Sequence, residues 1–127
     1  MIARLARSSV VHVALAIVAM GGWAIFANRA HAMPQPLIAG AVQGALSGAI
    51  TLVLKRMVEM LVSSFSGVAA LALPPAIAVL LSLGTLTALH ALAGTPEILA
   101  TIALPLSVTA IYSAIYTAAL WRGRKAA

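Results

Sequence analysis

Polar side chains recur at every fourth position in the second apolar segment of the chain. The series is Gln43, Ser47, Thr51, Lys55 and Glu59. Residues four apart lie on the same side of a helix, so this spacing predicts one polar stripe. Ser and Thr can bond to the carbonyl one turn earlier, whereas an unpaired amide in hydrocarbon costs several kcal/mol. We therefore expect Gln43 to point into a helix bundle, either as an interhelical hydrogen-bonding group or as part of a polar pathway.

His90, Thr109 and Tyr112 lie in later apolar segments and could reach the same interior. A histidine within a membrane could transfer protons, because the pKa of an imidazole is ordinarily about 6.5. The alternative is a neutral imidazole that bonds to a neighbouring hydroxyl near the end of its helix. Tyr112 needs a partner for its hydroxyl, and Gln43 and His90 are candidates. The predicted polar interior is Gln43, Ser47, Thr51, His90, Thr109 and Tyr112.

Asn28, Arg29 and His31 gather in a short segment between two apolar stretches. Guanidinium and amide groups suit phosphate oxygens, so a lipid headgroup or a small anion could contact these three residues. The alternative is a short connection that is simply exposed to water.

The residues of a catalytic centre do not emerge from the sequence. Cys is absent, the three His residues lack metal-ligand spacing, and Glu59 and Glu97 are expected on opposite sides of a membrane. We find no nucleophile with an obvious base and no phosphate-binding loop. We therefore expect no enzyme, no cofactor and no metal.

Charged residues are too few for a water-soluble domain. They make up 8% of the chain, whereas a soluble domain carries about 25%. The longest uncharged stretches run from Arg7 to Arg29, Arg29 to Lys55, Glu59 to Glu97 and Glu97 to Arg122. Each exceeds the roughly 20 residues of a spanning helix. They are rich in Ala and Leu and lack the alternation of barrel strands, which favours helices.

These stretches predict an all-α integral membrane bundle, a single domain over residues 1–127 with four spans at about 8–27, 36–55, 74–94 and 96–121. Pro36 and the pair Pro74-Pro75 are expected to begin helices, as is Thr95-Pro96-Glu97 with Thr95 as the N-cap. An alternative remains for the first span. Ala30-His31-Ala32 resembles a signal-peptide cleavage site, and cleavage there would leave three spans.

The basic residues predict the orientation of the chain. Every Lys and Arg except Arg29 falls at one rim of the predicted bundle: Arg4, Arg7, Lys55, Arg56, Arg122, Arg124 and Lys125. The positive-inside rule places that rim in the cytoplasm, with both termini, in an inner (plasma) membrane. The net charge of +6 is therefore a topology signal, and we expect no nucleic-acid partner.

Gly40, Gly44 and Gly48 form a ridge on the second helix. Small residues four apart let helix backbones approach closely in a membrane. The ridge could pack within the chain or between subunits. Besides the lipid bilayer, we therefore expect a homo-oligomer or a membrane-protein partner. The sequence favours a non-enzymatic accessory or scaffold subunit that acts through helix association; the alternative is an oligomeric small-solute or ion transporter or channel that uses the polar face of helices 2–4.

Overall fold

Four long α-helices account for most of the chain. The computed structural model describes Met1 and residues 8–126, so Arg4 and Arg7, which the orientation argument uses, lie outside the described residues. Within residues 8–126 the helices are α1 (Ser9–Ala27), α2 (Gln35–Ser64), α3 (Ala69–Leu92) and α4 (Ile98–Ala126). Each is long enough and apolar enough to cross a membrane. The prediction of an all-helical fold with four long apolar helices is confirmed for this part of the chain.

The helices run alternately up and down. α1 packs mainly on α2, α3 packs on α4, and α2 contacts both α3 and α4. Hydrogen bonds join the end of α1 to the start of α4, and the turn after α2 to the end of α4. The two ends of the bundle are named here by their residues: the Asn28 end holds the α1–α2 and α3–α4 connections, and the Lys55 end holds the α2–α3 connection and the start of α1.

Helix α2 is longer than expected at the Lys55 end. The predicted span ended near Lys55, but α2 continues to Ser64. The reason is an apolar stripe at every fourth position, in which Leu54, Val58 and Val62 are buried around Ala78. A helix of 30 residues is about 45 Å long, well over the roughly 30 Å of a hydrocarbon core. The last turns of α2 would therefore extend beyond the hydrocarbon region.

Helix α3 begins before its prolines. The sequence suggested a start at Pro74, whereas the observed helix starts at Ala69 and carries Pro74 and Pro75 inside it. Its first turn closes on the carbonyl of Val68, and Gly67 in the preceding turn has a φ of 61°. The left-handed conformation at Gly67 reverses the chain, so the helix can start ahead of the prolines.

Candidate functional site

A chain of hydrogen bonds links α2 to α3 in the interior of the bundle. The amide Nε2 of Gln43 donates to Ser47 Oγ at 2.7 Å, and its Oε1 lies 2.9 Å from His90 Nε2. The other ring nitrogen of His90, Nδ1, lies 2.7 Å from Thr95 Oγ1. An amide oxygen can only accept, so Nε2 carries the hydrogen, and Nδ1 of the neutral ring accepts from the Thr95 hydroxyl. Both nitrogens of His90 are therefore satisfied without a charge.

The turn after α3 brings Thr95 to His90. Gly94, with a φ of 72°, follows the last residues of α3. The N–H of Gly94 donates to Ala91 O at 3.2 Å, and that of Thr95 to His90 O at 2.9 Å. These two bonds form a Schellman motif, which ends helices at a left-handed glycine. The motif folds the chain back, so that the hydroxyl of Thr95 faces the imidazole of the residue five positions earlier.

The residues of the predicted polar interior divide into two groups. Gln43, Ser47 and His90 are buried and belong to the hydrogen-bonded chain. The second group is Thr51, Thr109 and Tyr112. Together with Ser47, these residues line an open cleft that is described below. Tyr112 is 39% exposed, and its ring packs against the ring of Tyr116 with centroids 5.6 Å apart. Tyr112 is bonded to neither of its two candidate partners, Gln43 and His90, which bond to each other.

Asn28 caps the start of α4 from the end of α1. Its Oδ1 accepts the backbone N–H of Glu97 at 2.9 Å, and its Nδ2 donates to Thr101 Oγ1 at 2.7 Å and to Ala24 O at 2.8 Å. The side chain is 0% exposed. Thr95, the expected cap, is engaged with His90 instead. Asn28 is therefore a structural link between two helices, and it is not free to contact a headgroup.

The other two predicted anion contacts are also engaged within the chain. Arg29 donates to Phe26 O at 2.8 Å, and its guanidinium lies 3.9 Å from the centre of the Phe26 ring. His31 Nε2 lies 3.0 Å from Glu97 Oε1. Asn28 and His31 both contact Glu97, the first at its backbone N–H and the second at its carboxylate, whereas Arg29 contacts Phe26. The three side chains therefore do not converge on one anion site.

The glycine ridge of α2 lies against α1 of the same chain. A Cβ added at Gly44 would be 3.3 Å from the carbonyl oxygen of Ile17, and one added at Gly40 would be 2.5 Å from the side chain of Ile25. Gly48 faces Ile17 and Val13 in the same way. Gly21 of α1 completes the contact, since its Cβ position lies 3.0 Å from Gly40 O. The absence of side chains at these glycines lets the two backbones approach closely.

A cleft opens where α1 and α4 separate. At the Asn28 end the two helices are held together by Asn28 and by Trp23, whose Nε1 donates to Ala100 O at 2.8 Å. Towards the Lys55 end they diverge, with α2 as the floor between them. The resulting cleft, here named the α1–α4 cleft, has a volume of about 970 Å³. It is lined by one face of α1 between Ser9 and Met20, by one face of α2 between Ser47 and Glu59, and by Pro105, Val108, Thr109 and Tyr112 of α4. Its walls are apolar along Leu15 and Val108, both of which are exposed.

The rim of the cleft at the Lys55 end is charged. Lys55 Nζ lies 3.3 Å from Glu59 Oε1, and the same oxygen accepts the hydroxyl of Tyr116 at 2.5 Å. His12 and Arg56 also line this rim and are exposed. Within the described residues, Arg56 makes no salt bridge. Counted over the described lining residues, the rim carries a net positive charge, since Glu59 offsets only one of the two basic residues Lys55 and Arg56.

A second cluster at the Lys55 end was not foreseen from the sequence. Arg124 donates to the carbonyls of Val62 and Phe65, and Trp121 Nε1 donates to Gly67 O at 3.0 Å. These bonds fasten the turn between α2 and α3 to the last turns of α4. Basic and aromatic residues at a helix end are typical of a membrane boundary. That pattern gives no indication that Trp121 and Arg124 also donate hydrogen bonds to the backbone carbonyls around a loop.

Comparisons with known proteins add nothing to this geometry. No family model, no curated protein and no solved structure matches the chain. Within residues 8–126, no three His, Asp or Glu side chains lie close enough together to hold a metal ion. The α1–α4 cleft is the feature from which a function can be argued.

Proposed function

We propose that this chain is a non-enzymatic accessory protein of a bacterial-type inner membrane, with both termini in the cytoplasm. In this proposal it acts by binding a hydrophobic or amphiphilic partner within the bilayer, in the α1–α4 cleft. The observation that carries the proposal is the cleft itself: about 970 Å³ between three helices, with an exposed apolar mouth and a charged rim. Ligand sites are typically concave and mostly apolar, with a few polar groups and about 300–1,000 Å³ of volume.

The cleft replaces the glycine ridge as the proposed surface for a partner. Gly40, Gly44 and Gly48 are buried against α1, so a second chain would have to displace a helix to reach them. The residues at the mouth of the cleft, by contrast, are accessible from the surrounding hydrocarbon. A binding role through the cleft therefore needs no rearrangement of the bundle.

A non-enzymatic role is supported by the state of the buried polar groups. Gln43, His90 and Thr95 satisfy one another, and Asn28 satisfies the start of α4. A general base has to reach a proton on its substrate, and the nitrogens of His90 are both occupied inside the bundle. These groups have the arrangement of interhelical hydrogen bonds that specify packing.

A cleft-filling substitution tests the proposal. Ala19 lines the cleft and Ala14 does not, although both are exposed on α1. Each would be changed to Phe, and the full-length chain would be extracted from its native membrane in mild detergent. We expect the original chain and Ala14→Phe to retain a defined hydrophobic molecule through detergent exchange, and Ala19→Phe to lose most of it. Equal retention by all three proteins would contradict the proposal.

A transport function is the second candidate, and one observation favours it. Ser47 lines the cleft and also begins the hydrogen-bonded chain that runs through Gln43 and His90 to Thr95 near the Asn28 end. Polar groups thus follow one another across the bundle. If they serve only to hold helices together, liposomes containing the original chain and Gln43→Leu will show the same proton and ion flux as empty liposomes. Flux that Gln43→Leu abolishes, with the fold intact, would favour transport instead.

A further inference from the structure

We infer that the occupant of the α1–α4 cleft is an anionic phospholipid from the leaflet at the Lys55 end. The inference rests on the proposed binding function and names the class of ligand. Its headgroup phosphate would lie beside Arg56 and His12, and its acyl chains would run along Leu15 and Val108 towards Met20, all of which line the cleft. Three properties of the cleft support this assignment: its length, the charge of its rim, and its opening to the side.

The cleft extends over about one leaflet of a bilayer. Its wall on α1 runs from Ser9 to Met20, which is about 16 Å at 1.5 Å per residue. Half of a hydrocarbon core of about 30 Å is 15 Å. The cleft begins at the charged rim and ends near Met20, close to mid-bundle, so it matches the depth of one lipid with its headgroup at the rim.

The rim has groups that recognise a phosphate. The guanidinium of Arg56 can bind two phosphate oxygens at once. Ser9 is the first residue of α1 and lines the same rim, and the N–H groups in the first turn of a helix have no acceptor within that helix. The start of a helix also carries a partial positive charge that favours anions. Arg56 and the start of α1 therefore approach the rim from two sides.

The shape of the cleft favours a lipid over a transmembrane helix. A flexible acyl chain can enter from the side, between the exposed Leu15 and Val108, and can follow an irregular wall. A partner helix would also have to bring an acidic residue to Arg56, whereas an anionic lipid already carries that charge.

Lipid titration of the delipidated full-length chain tests the inference. Phosphatidylglycerol and phosphatidylcholine would be added separately in mixed micelles, and bound lipid would be counted by native mass spectrometry. We expect tighter binding of phosphatidylglycerol. Arg56→Gln should weaken that binding about fivefold, from about 1 kcal/mol per basic residue. It should weaken the binding of phosphatidylcholine less, because the choline group of that lipid offsets the charge of its phosphate. Arg122→Gln is the matched control: Arg122 is exposed on α4 and lies outside the cleft lining.

The outcomes separate this inference from the proposed function. Equal binding of the two lipids, both weakened by Ala19→Phe and not by Ala14→Phe, would overturn the anionic assignment and leave a lipid-binding cleft. Retention of a protein instead of either lipid would overturn the inference and leave the binding function in place.

If Arg56→Gln and Arg122→Gln weaken the binding of phosphatidylglycerol equally, the preference for this lipid comes from the general surface charge, and the inference is also overturned. Displacement of lipid by millimolar glycerol phosphate would identify a site for soluble phosphates. If Ala19→Phe changes no binding at all, both the inference and the proposed function fail.

Discussion

Replacing Asn28 with Ala should loosen the contact between α1 and α4 more than its position near a loop suggests. The substitution removes the acceptor for the Glu97 N–H and the donor to Thr101 Oγ1. Two of the groups involved keep a partner. Ala24 O still accepts the backbone N–H of residue 28, and Thr101 Oγ1 still donates to Glu97 O. The N–H of Glu97 is the group left without one.

The loss of stability expected for Asn28→Ala follows from these broken hydrogen bonds. Losing a cap costs about 0.5–2 kcal/mol, and the lost bond between Asn28 and Thr101 adds about 1 kcal/mol. Because the site is fully buried, we expect the free energy of unfolding to fall by about 2–3 kcal/mol. Reversible unfolding in mixed micelles of a mild detergent and sodium dodecyl sulfate, followed by circular dichroism, measures this change.

The control is Gln35→Ala in the same connection. Gln35 is half-buried, and within the described residues its side chain makes no hydrogen bond, so its loss should matter by less than about 0.5 kcal/mol. Hydrogen exchange offers an independent measurement, since the Glu97 amide should exchange faster in Asn28→Ala alone. If Asn28→Ala resembles Gln35→Ala in stability and the Glu97 amide stays protected, the assignment of Asn28 as the cap of α4 is wrong.

Two further predictions concern the packing between helices. The Cβ of Gly44→Leu would already lie 3.3 Å from the Ile17 carbonyl, so the rest of its side chain has no room and should destabilise the bundle by about 1–3 kcal/mol. Gly22→Leu, with no atom within 4 Å of its Cβ position, should leave stability unchanged or slightly raised in the same unfolding assay. Gln43→Leu leaves the buried Nε2–H of His90 without an acceptor and should lower the free energy of unfolding by about 1–3 kcal/mol. The double variant with His90→Leu should lose less stability than the sum of the two single changes. Strict additivity in that cycle would show that the two side chains do not interact.

The sequence was sufficient for the number and type of helices because lipid imposes a simple rule. A segment of about 20 residues without charge has to bond its backbone internally, and a helix does so with local contacts alone. Four such segments were predicted and four are observed across residues 8–126. The helix ends were less predictable. Val58 and Val62 prolong α2 because they pack against Ala78, which is a contact between helices that are separate in the sequence.

The site residues show the same division. The four-residue spacing of Gln43 and Ser47 was sufficient to place both on one face, and their burial follows from the cost of an unpaired amide in hydrocarbon. The partner of His90 was not predictable, because Thr95 reaches the imidazole only through the glycine turn that follows α3. The role of Asn28 was hidden for a similar reason: a residue in a short polar connection resembles a solvated one until α4 is placed beside it.

Sequence alone therefore determined the all-helical fold class, the four apolar helices and the faces on which polar side chains lie, since these depend on composition and on distances of a few residues along one helix. Tertiary structure alone decided which helix covers the glycine ridge, which side chain caps α4, and where α1 and α4 separate to leave a cleft. Those features depend on the relative position of helices that are far apart in the chain. The packing of bulky and small residues across helix interfaces sets the relative position of the helices. The spacing of residues within a single segment does not predict that position.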